Sequence, residues 1–346
     1  MIFIKKIIYA TTVLFGILIL VFLLFQFFGD PAKMIAGQSG DKKTLDNIRK
    51  DLYLDKPKWK QFLYYINDVS PVSLHSKEEI VAKNLKGVFI GKNIKLSLKF
   101  PYLGKSYQSK KEVRLIIGEA LKGTIVLALT AMFFACFVGI TLGVIAAINK
   151  DSWIDNAAIL SGIAGISAPS FFMAILIAYF FGFVLHDYTG LHLTGSLYEI
   201  DEVTGEKYLA IKNLILPAFT LGIRPLAIIS QLTRSSMLDV LSQDYIRTAY
   251  AKGLNKRSII LKHALRNALN PVLTAITGWF AELLAGAFFI EYIFGWKGIG
   301  ETTVDALEKL DYPVVIGAVL CSATFFVLIN LITDIIYRKI DPRISE

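Results

Sequence analysis

Residues 123–148 read GTIVLALTAMFFACFVGITLGVIAAI, without one Asp, Glu, Lys or Arg. A helix needs about 20 predominantly apolar residues to cross the hydrocarbon core of a bilayer, so this stretch predicts a transmembrane helix. Five other stretches are long and apolar enough to do the same: 7–28, 156–185, 213–233, 271–290 and 312–333. The sequence therefore predicts an all-α polytopic membrane protein with six transmembrane helices.

The composition agrees with this fold class. Of the 346 residues, 54% are hydrophobic and 19% are charged, and the mean hydropathy is +0.54. Ordinary soluble domains are less apolar and carry about 25% charged residues, so a soluble enzyme, a disordered chain and a disulfide scaffold are excluded. The first apolar run, 7–28, exceeds the roughly 7–15 residues of a signal-peptide core, and we expect it to stay as a membrane helix.

Neither the cysteines nor the charges indicate a metal, a cofactor or a nucleic acid. Cys136 and Cys321 lie inside predicted spans, and the four histidines have no metal-ligand spacing. The net charge of +9 arises mainly in segment 29–113, which has 17 basic and 9 acidic residues. No nucleic-acid recognition motif accompanies these charges, so we interpret them as a solvated basic surface.

The distribution of Lys and Arg predicts the orientation of the chain, because short cytoplasmic loops are enriched in them. With the amino terminus inside, thirteen Lys and Arg residues fall in inner segments and four in short outer loops. The inner segments are 1–6, 149–155, 234–270 and 334–346, and the outer loops are 186–212 and 291–311. We therefore expect a multi-pass protein of the cell inner (cytoplasmic) membrane with both termini in the cytoplasm.

The long outer segment has the pattern of a small folded unit. Residues 43–66 predict two helices separated by the turn Leu54-Asp55-Lys56-Pro57. Apolar and polar residues alternate over 94–100, which predicts a half-buried strand. The predicted organisation is an amino-terminal transmembrane helix at 1–28, an α+β extracytoplasmic cap at 29–113 and a five-helix core at 114–346.

The sequence contains none of the common nucleotide-binding or catalytic motifs that we looked for in it. It contains no G-x-x-x-x-G-K-[ST], H-E-x-x-H or G-x-S-x-G motif, so we expect neither ATP binding nor catalysis. Gly139 and Gly143 fit the small-xxx-small pattern and predict close helix packing. Pro169 predicts a kink in the third span, which we expect to serve helix packing, with gating as the alternative.

The most informative segment is the inner loop 234–270. Four of its side chains fall on one helical stripe: Tyr245, Ile246, Ala249 and Tyr250. Gly253 supplies the left-handed residue that ends a helix, and Asn255 can cap a second one that runs to Pro271. Such a stripe suits the groove of a partner protein and equally the surface of an anionic bilayer. The residues alone leave both interpretations open.

Motifs in this loop and near the chain ends carry a resemblance to a known family. The loop reads DYIRTAYAKGL at 244–254 and HALRNALNP at 263–271, and the flanks read FGDP at 28–31 and EYIFGWKGIG at 291–300. Together they resemble the permease subunits of ABC importers of the dipeptide/oligopeptide/nickel type, whose inner loop is called the EAA loop. The resemblance covers nearly the whole chain except roughly 70–100.

The resemblance implies a type I ABC importer permease fold and a transport function. The chain would form half of a translocation pathway for peptides or similar small solutes. The implied partners are a second permease subunit, two ABC ATPase subunits, an extracytoplasmic substrate-binding protein and membrane lipid, with no nucleic acid. ATP hydrolysis would then belong to the ATPase subunits.

The resemblance also assigns a coupling role to the EAA loop. The implied ATPase-coupling residues are Tyr245, Arg247, Thr248, Ala249, Lys252 and Gly253. We expect Tyr245, Ala249 and Gly253 at the core of the contact, with Arg247 and Lys252 at its rim. The sequence departs from the general pattern at Arg247 and Thr248, where Glu and Ala are usual.

Two rival classes fit the sequence less well. An ion-coupled secondary transporter usually has two matching halves with broken helices, and no internal repeat is visible here. A membrane-embedded hydrolase would need a nucleophile and a base within the spans, and no such pair is evident.

Two charged residues lie deep within predicted spans. Arg224 lies near the middle of 213–233, and Glu282 near the middle of 271–290. A charge at the centre of a lipid-facing helix costs roughly 2.5–3.5 kcal/mol on insertion scales, so neither is expected to face lipid. We expect an interhelical ion pair, with a lining of the translocation pathway as the alternative.

Overall fold

The computed structural model of the chain describes residues 2–27, 32, 45–46, 49–50, 53–91, 94–201 and 204–340. Its helices are α1 Ile2–Phe27, α2 Lys58–Val69, α3 Lys77–Ala82, α4 Val113–Ile148, α5 Trp153–Ser167, α6 Ser170–Ile177, α7 His186–Thr189, α8 Lys212–Leu241, α9 Asp244–Ala251, α10 Lys256–Ser258, α11 Leu265–Gly286, α12 Phe288–Ile293, α13 Ile299–Glu308 and α14 Tyr312–Ile340. Two π-helical segments are Ala178–Val184, after α6, and Ile259–Ala264, before α11. The strands are β1 Val72–Ser76, β2 Gly87–Ile90, β3 Ile94–Lys99, β4 Tyr198–Ile200 and β5 Lys207–Leu209.

The chain divides into two compact units. The first consists of Met1–Ala120 with Thr302–Thr324, and the second of Leu121–Glu301 with Phe325–Glu346. The first unit holds α1, the sheet β1-β3-β2 and the helices α2 and α3. The second holds the main hydrophobic core, in which Trp296 is fully buried.

Helices lie on all six predicted spans. α4, α8 and the Tyr312–Thr333 part of α14 are long and apolar enough to cross a bilayer, and the bent pair α5–α6 provides up to one more span. The same criteria do not select α1 or α11 within the described residues, although the Ile8–Leu24 part of α1 is apolar. The predicted class, a helical membrane protein with a small α+β insertion, is confirmed.

The third predicted span is broken, which is more than the expected kink. α5 ends at Ser167, α6 begins at Ser170, and the two axes meet at 107°. Pro169 lies in the break, where its ring blocks a continuous helix, and Ala168 before it is extended with ψ 134°. The expectation of one kinked helix over 156–185 is therefore wrong, and the pair forms a broken span or a re-entrant loop.

The glycines of α4 allow close contact with α8. A Cβ atom on Gly139 would lie 2.9 Å from the carbonyl oxygen of Leu226, and one on Gly143 would lie 2.6 Å from that of Ser230. Larger residues at these two positions would push the helices apart. The packing role predicted from the small-xxx-small pattern is confirmed.

The predicted strand at 94–100 is present as β3, but its buried side is the polar one. β3 pairs antiparallel with both β1 and β2, in the order β1-β3-β2. Ser97 and Lys99 are 0% and 5% exposed, whereas Leu98 is 61% exposed. Burial lowers the pKa of Lys99 to about 8, and its Nζ donates a hydrogen bond to the Ser70 carbonyl at 3.2 Å.

The end of the outer segment is fixed to the start of α14. Asp311 is buried, and its Oδ2 accepts a hydrogen bond from Ser106 Oγ at 2.5 Å. Its Oδ1 accepts one from the backbone N–H of Tyr107 at 2.9 Å. One carboxylate therefore holds two consecutive residues of the segment that leads into α4.

Candidate functional site: the α9 surface and two intramembrane charges

α9 forms a short helix with a sharp corner after it. Gly253 has φ +74°, a left-handed conformation that strains any residue with a side chain. Asn255 then caps α10, because its Oδ1 accepts a hydrogen bond from the backbone N–H of Ser258 at 2.7 Å. The predicted helix end at Gly253 and the predicted cap at Asn255 are both present.

One side of α9 is anchored in the chain's own core. Ile246 and Ala249 are only 1% and 7% exposed. Their hydrophobic cluster contains buried residues of α4, α8, the second π-helical segment and α11: Val144, Ala147, Met237, Ile259, Ile260, Ala264 and Ala268. The expectation that Ala249 lies at the core of a partner contact is therefore wrong, because α9 turns this side of the stripe toward α4 and α8.

The other side of α9 is exposed and combines aromatic with cationic groups. We call it the α9 surface: Tyr245, Arg247, Thr248, Tyr250, Lys252 and Gly253. Tyr245 and Tyr250 are 43% and 49% exposed. The hydroxyl of Tyr245 accepts a hydrogen bond from Asn267 Nδ2 at 2.8 Å, which ties this ring to α11. The surface is thus held by side-chain contacts to α11 as well as by the buried side of α9.

The second helix of the loop does not stand alone. α10 runs through the second π-helical segment directly into α11, so Pro271 lies inside α11 instead of opening a new helix. Contacts with neighbouring helices can offset the hydrogen bond that a proline removes from a membrane helix. Ile259, Ile260 and Ala264 of this segment are buried.

An ion pair that sequence reasoning missed joins α5 to α8. Asp155 is 1% exposed and receives two hydrogen bonds from the Arg234 guanidinium, Nε to Oδ1 and Nη2 to Oδ2 at 2.6 Å. The backbone N–H of Asp151 donates a third at 3.0 Å. A bidentate contact between a guanidinium and a carboxylate fixes the relative orientation of the two groups. The two residues are 79 positions apart and belong to no motif, so no sequence pattern indicates the pair.

The ion pair predicted between Arg224 and Glu282 is not formed in the described chain. Both side chains are exposed on the isolated chain, and the Arg224 guanidinium lies 5.7 Å from the centre of the Trp279 ring, in a cation–π arrangement. Trp279 precedes Glu282 by three residues, about 4.5 Å along a helix axis. The Arg224 guanidinium thus contacts a ring that lies three residues before Glu282 in the chain, and not the Glu282 carboxylate.

A buried carboxyl group organises the EYIFGWKGIG motif. Glu291 is 0% exposed and accepts hydrogen bonds from Thr124 Oγ1 at 2.7 Å and from the backbone N–H of Gly300 at 2.6 Å. Trp296 Nε1 donates to the Gly123 carbonyl at 3.0 Å. These hydrogen bonds join α12 and the start of α13 to α4.

Within the described residues, no group of three or more His, Cys, Asp and Glu could hold a metal ion.

These features define a polytopic membrane protein with a short helix anchored among its apolar helices and presented outward. The chain belongs to the family "Binding-protein-dependent transport system inner membrane component", whose model matches residues 139–346. The amino-terminal model of the same kind of transport-system membrane component matches residues 1–128. The predicted family is confirmed, and with it the class of transport permease.

Full-length relatives agree with this assignment. The dipeptide transport system permease protein DppB of Alkalihalophilus pseudofirmus is 34% identical, over 99% of this chain and 98% of the relative. DppB of Escherichia coli is 37% identical, over 92% and 90%. The glutathione transport system permease protein GsiC of Escherichia coli is 33% identical, over 99% and 97%.

A solved structure was also found similar. It is a chain of the MetNI methionine ABC transporter in an inward-facing conformation, with a TM-score of 0.48 and 15% sequence identity. The match covers 66% of this chain and 97% of that chain.

Proposed function

We propose that this chain is the permease subunit of an ATP-driven ABC importer that takes up peptides. It forms half of the translocation pathway, beside a second permease subunit, and two ABC ATPase subunits bind on the cytoplasmic side. A substrate-binding protein delivers the cargo from outside. The names of the relatives, dipeptide and glutathione transport permeases, support a peptide cargo.

The observation that carries the proposal is the two-sided construction of α9. Its buried side shares one core with α4, α8 and α11, while the α9 surface presents two tyrosines and two cationic side chains outward. A partner that pushes on the α9 surface therefore pushes on three apolar helices at once. This is what a subunit without phosphate-binding chemistry needs in order to receive work from an ATPase.

The proposed coupling is a rigid-body transmission. Closure of the ATPase subunits on ATP displaces α9, and the shared core carries the displacement into α4, α8 and α11. The side-chain contacts that hold α9 limit how much of this motion is lost locally. The Asp155–Arg234 pair joins α5 to α8, so α5 is displaced together with α4, α8 and α11.

The proposed orientation places α9 and both chain termini in the cytoplasm. It follows from the excess of Lys and Arg in the inner segments over the short outer loops. ATPase subunits that use cellular ATP must meet the permease on this side. The cap then lies outside, where a binding protein delivers its cargo.

Reversing charge on the α9 surface tests the coupling. We expect Arg247→Glu with Lys252→Glu to reduce the ATPase that co-purifies with the chain in mild detergent by roughly tenfold, equivalent to about 1.4 kcal/mol of binding free energy. The physical reason is that both cations are exposed and available to a partner. The measurement is a pulldown from membranes that contain the whole transport system, quantified by ATPase activity.

The matched control is Lys58→Glu with Lys60→Glu, two exposed lysines on α2 in the cap. This variant also replaces two cations with two carboxylates, but in the cap, which we place outside the cell. We expect it to retain the ATPase. Equal retention by both double variants would contradict the assignment of α9 as the coupling helix.

We further propose that Arg224 and Glu282 line the translocation pathway. Both are exposed on the isolated chain at membrane depth, where contact with lipid would cost several kcal/mol per charge. A peptide carries one charge of each sign at its termini, so a cation and an anion on adjacent helices suit it. The path between two permease subunits would supply the water and the partner charges that these groups need.

Neutralising Glu282 tests this placement. We expect Glu282→Gln to fold with normal yield, because the side chain is exposed, and to lower dipeptide uptake in proteoliposomes roughly tenfold through loss of one charge-assisted contact. Glu119→Gln, an exposed carboxylate on α4, is the matched control and should transport normally. If instead Arg224→Leu and Glu282→Leu each lower folded yield and the double variant restores it, the two residues form a structural ion pair.

A further inference from the structure

The sheet of the outer segment presents an apolar face that the chain leaves uncovered. Its strands align Val72, Leu98 and Val88 in one row and Leu74, Leu96 and Ile90 in the next. With Ile94 and Phe100, these side chains are each 51–69% exposed. We call this set the apolar sheet face: Val72, Leu74, Val88, Ile90, Ile94, Leu96, Leu98 and Phe100. A contiguous surface of this kind marks a contact with protein or membrane.

The opposite side of the same sheet is polar and closed. Ser73, His75, Ser97 and Lys99 are at most 5% exposed, and burial lowers the pKa values of His75 and Lys99. A sheet in water would bury its aliphatic side and expose its lysine, because that arrangement removes apolar area from water without desolvating a charge. The observed inversion indicates that the apolar sheet face meets something other than water.

The contacts between the cap and α1 indicate that the apolar sheet face meets membrane lipid. α2 packs along the side of α1: the Phe62 ring lies 6.3 Å from the Phe15 ring and 5.0 Å from the Phe22 ring. Phe15 and Phe22 are seven residues apart, about 10 Å along the helix axis. The Phe62 ring of α2 therefore lies beside the apolar body of a membrane helix instead of beyond its end.

The edge of the apolar sheet face also meets the beginning of a second membrane helix. The Arg114 guanidinium at the start of α4 lies 5.6 Å from the centre of the Phe100 ring. Lys86, which directly precedes β2, is exposed beside Phe100, whose backbone N–H donates a hydrogen bond to the Lys86 carbonyl at 3.3 Å. Cations at the rim of an apolar surface suit the phosphate groups of a bilayer, with the aliphatic side chains reaching the acyl boundary below them.

We propose that the apolar sheet face rests in the outer leaflet of the membrane and contacts lipid acyl chains. A protein partner that docks and leaves would expose the whole face to water in each cycle, whereas lipid covers it continuously. The cap is then a membrane-surface domain, attached by its sheet as well as by α1 and α4. Its polar side, with Lys99 and His75, points into its own interior, away from the lipid.

Site-directed fluorescence tests this contact in the full chain. Leu96→Cys and Leu98→Cys are made in a background with Cys136→Ala and Cys321→Ala, labelled with the environment-sensitive dye NBD, and reconstituted in liposomes containing nitroxide-labelled lipid. Both sites are more than half exposed, so the label needs no repacking of the core. We expect a blue-shifted emission and strong quenching by the nitroxide, several-fold above the quenching at the control site Glu78→Cys, an exposed position on α3.

Two other results would overturn the proposal. Red-shifted, unquenched emission at Leu96 and Leu98 would show that water covers the face. A blue shift that appears only when the second permease subunit is present, without nitroxide quenching, would show that protein covers it. Folded yield of both labelled variants, measured by size-exclusion chromatography, separates these results from simple misfolding.

Discussion

Gly253→Val should abolish peptide uptake while leaving the chain inserted in the membrane. Gly253 has φ +74°, and a β-branched residue in this region is strained by about 1–3 kcal/mol. No atom lies within 4 Å of a Cβ built at Gly253, so the substitution causes no clash. The strain is relieved only by rotating the corner between α9 and α10, which moves the α9 surface. The measurement is ATP-dependent uptake of a labelled dipeptide in proteoliposomes.

Two variants control for the strain itself. Gly253→Asn should retain most of the uptake, since Asn tolerates the left-handed conformation. Gly205→Val places the same residue at φ +70°, also in open space, but in the β4–β5 hairpin, away from α9. It should match Gly253→Val in backbone strain and in membrane yield while keeping uptake. Normal uptake by Gly253→Val would remove the coupling role from this corner.

The parts of the fold that the sequence predicted depend on local pattern. Apolar length predicted helices at all six positions where the structure has them, because a bilayer imposes one length on every crossing helix. The corner after α9 was predicted because the left-handed residue and the cap, Gly253 and Asn255, act within a few positions of themselves. Close helix packing at Gly139 and Gly143 was predicted because two small residues one turn apart leave a groove, and the structure identifies α8 as the helix that occupies it.

The parts that the sequence missed depend on what each element packs against. The alternation in β3 predicted a half-buried strand, yet period two is the same whichever face is buried, and here the buried face is polar. The stripe predicted on α9 is divided in the structure, because Ile246 and Ala249 pack in the chain's own core while Tyr245 and Tyr250 are exposed. Counting residues along two helices matched Arg224 with Glu282, whereas the Arg224 guanidinium lies over the ring of Trp279, three residues earlier in the chain. Asp155 and Arg234 had no sequence signal at all.

The EYIFGWKGIG motif was quoted only as a resemblance, and the structure gives it a physical reason. The residues of the motif pack around Glu291. Two glycines of the motif, Gly298 and Gly300, lie where a side chain would collide with the Glu291 carboxyl group or with the backbone of α12. A Cβ on Gly298 would lie 2.4 Å from the Glu291 carboxylate oxygens. One on Gly300 would lie 2.3 Å from the Cα of Phe288. Real Cβ atoms do not approach other atoms so closely, so neither position accepts even alanine without movement.

We therefore expect Gly300→Ala to lower the folded yield of the chain severely. Overpacking costs about 1–3 kcal/mol, and displacement of the Gly300 N–H from the Glu291 carboxyl group costs about as much again, because a buried donor left without an acceptor costs roughly 1–3 kcal/mol. Thermal stability of the detergent-solubilised chain, followed by size-exclusion chromatography, reports the loss. Gly118→Ala is the matched control: no atom lies within 4 Å of its built Cβ, and alanine in a helix is favoured over glycine by about 1 kcal/mol.

Substitution of the carboxyl group itself separates packing from hydrogen bonding. Glu291→Ala leaves the Gly300 N–H without its acceptor and opens a cavity at a fully buried site, so it should be as damaging as Gly300→Ala. Glu291→Gln keeps the volume and one acceptor oxygen, and should recover most of the stability. If Glu291→Ala is as stable as the unsubstituted chain, the motif is held by Trp296 and its bond to Gly123 instead. In that case the close approach at Gly300 alone explains the damage done by alanine there.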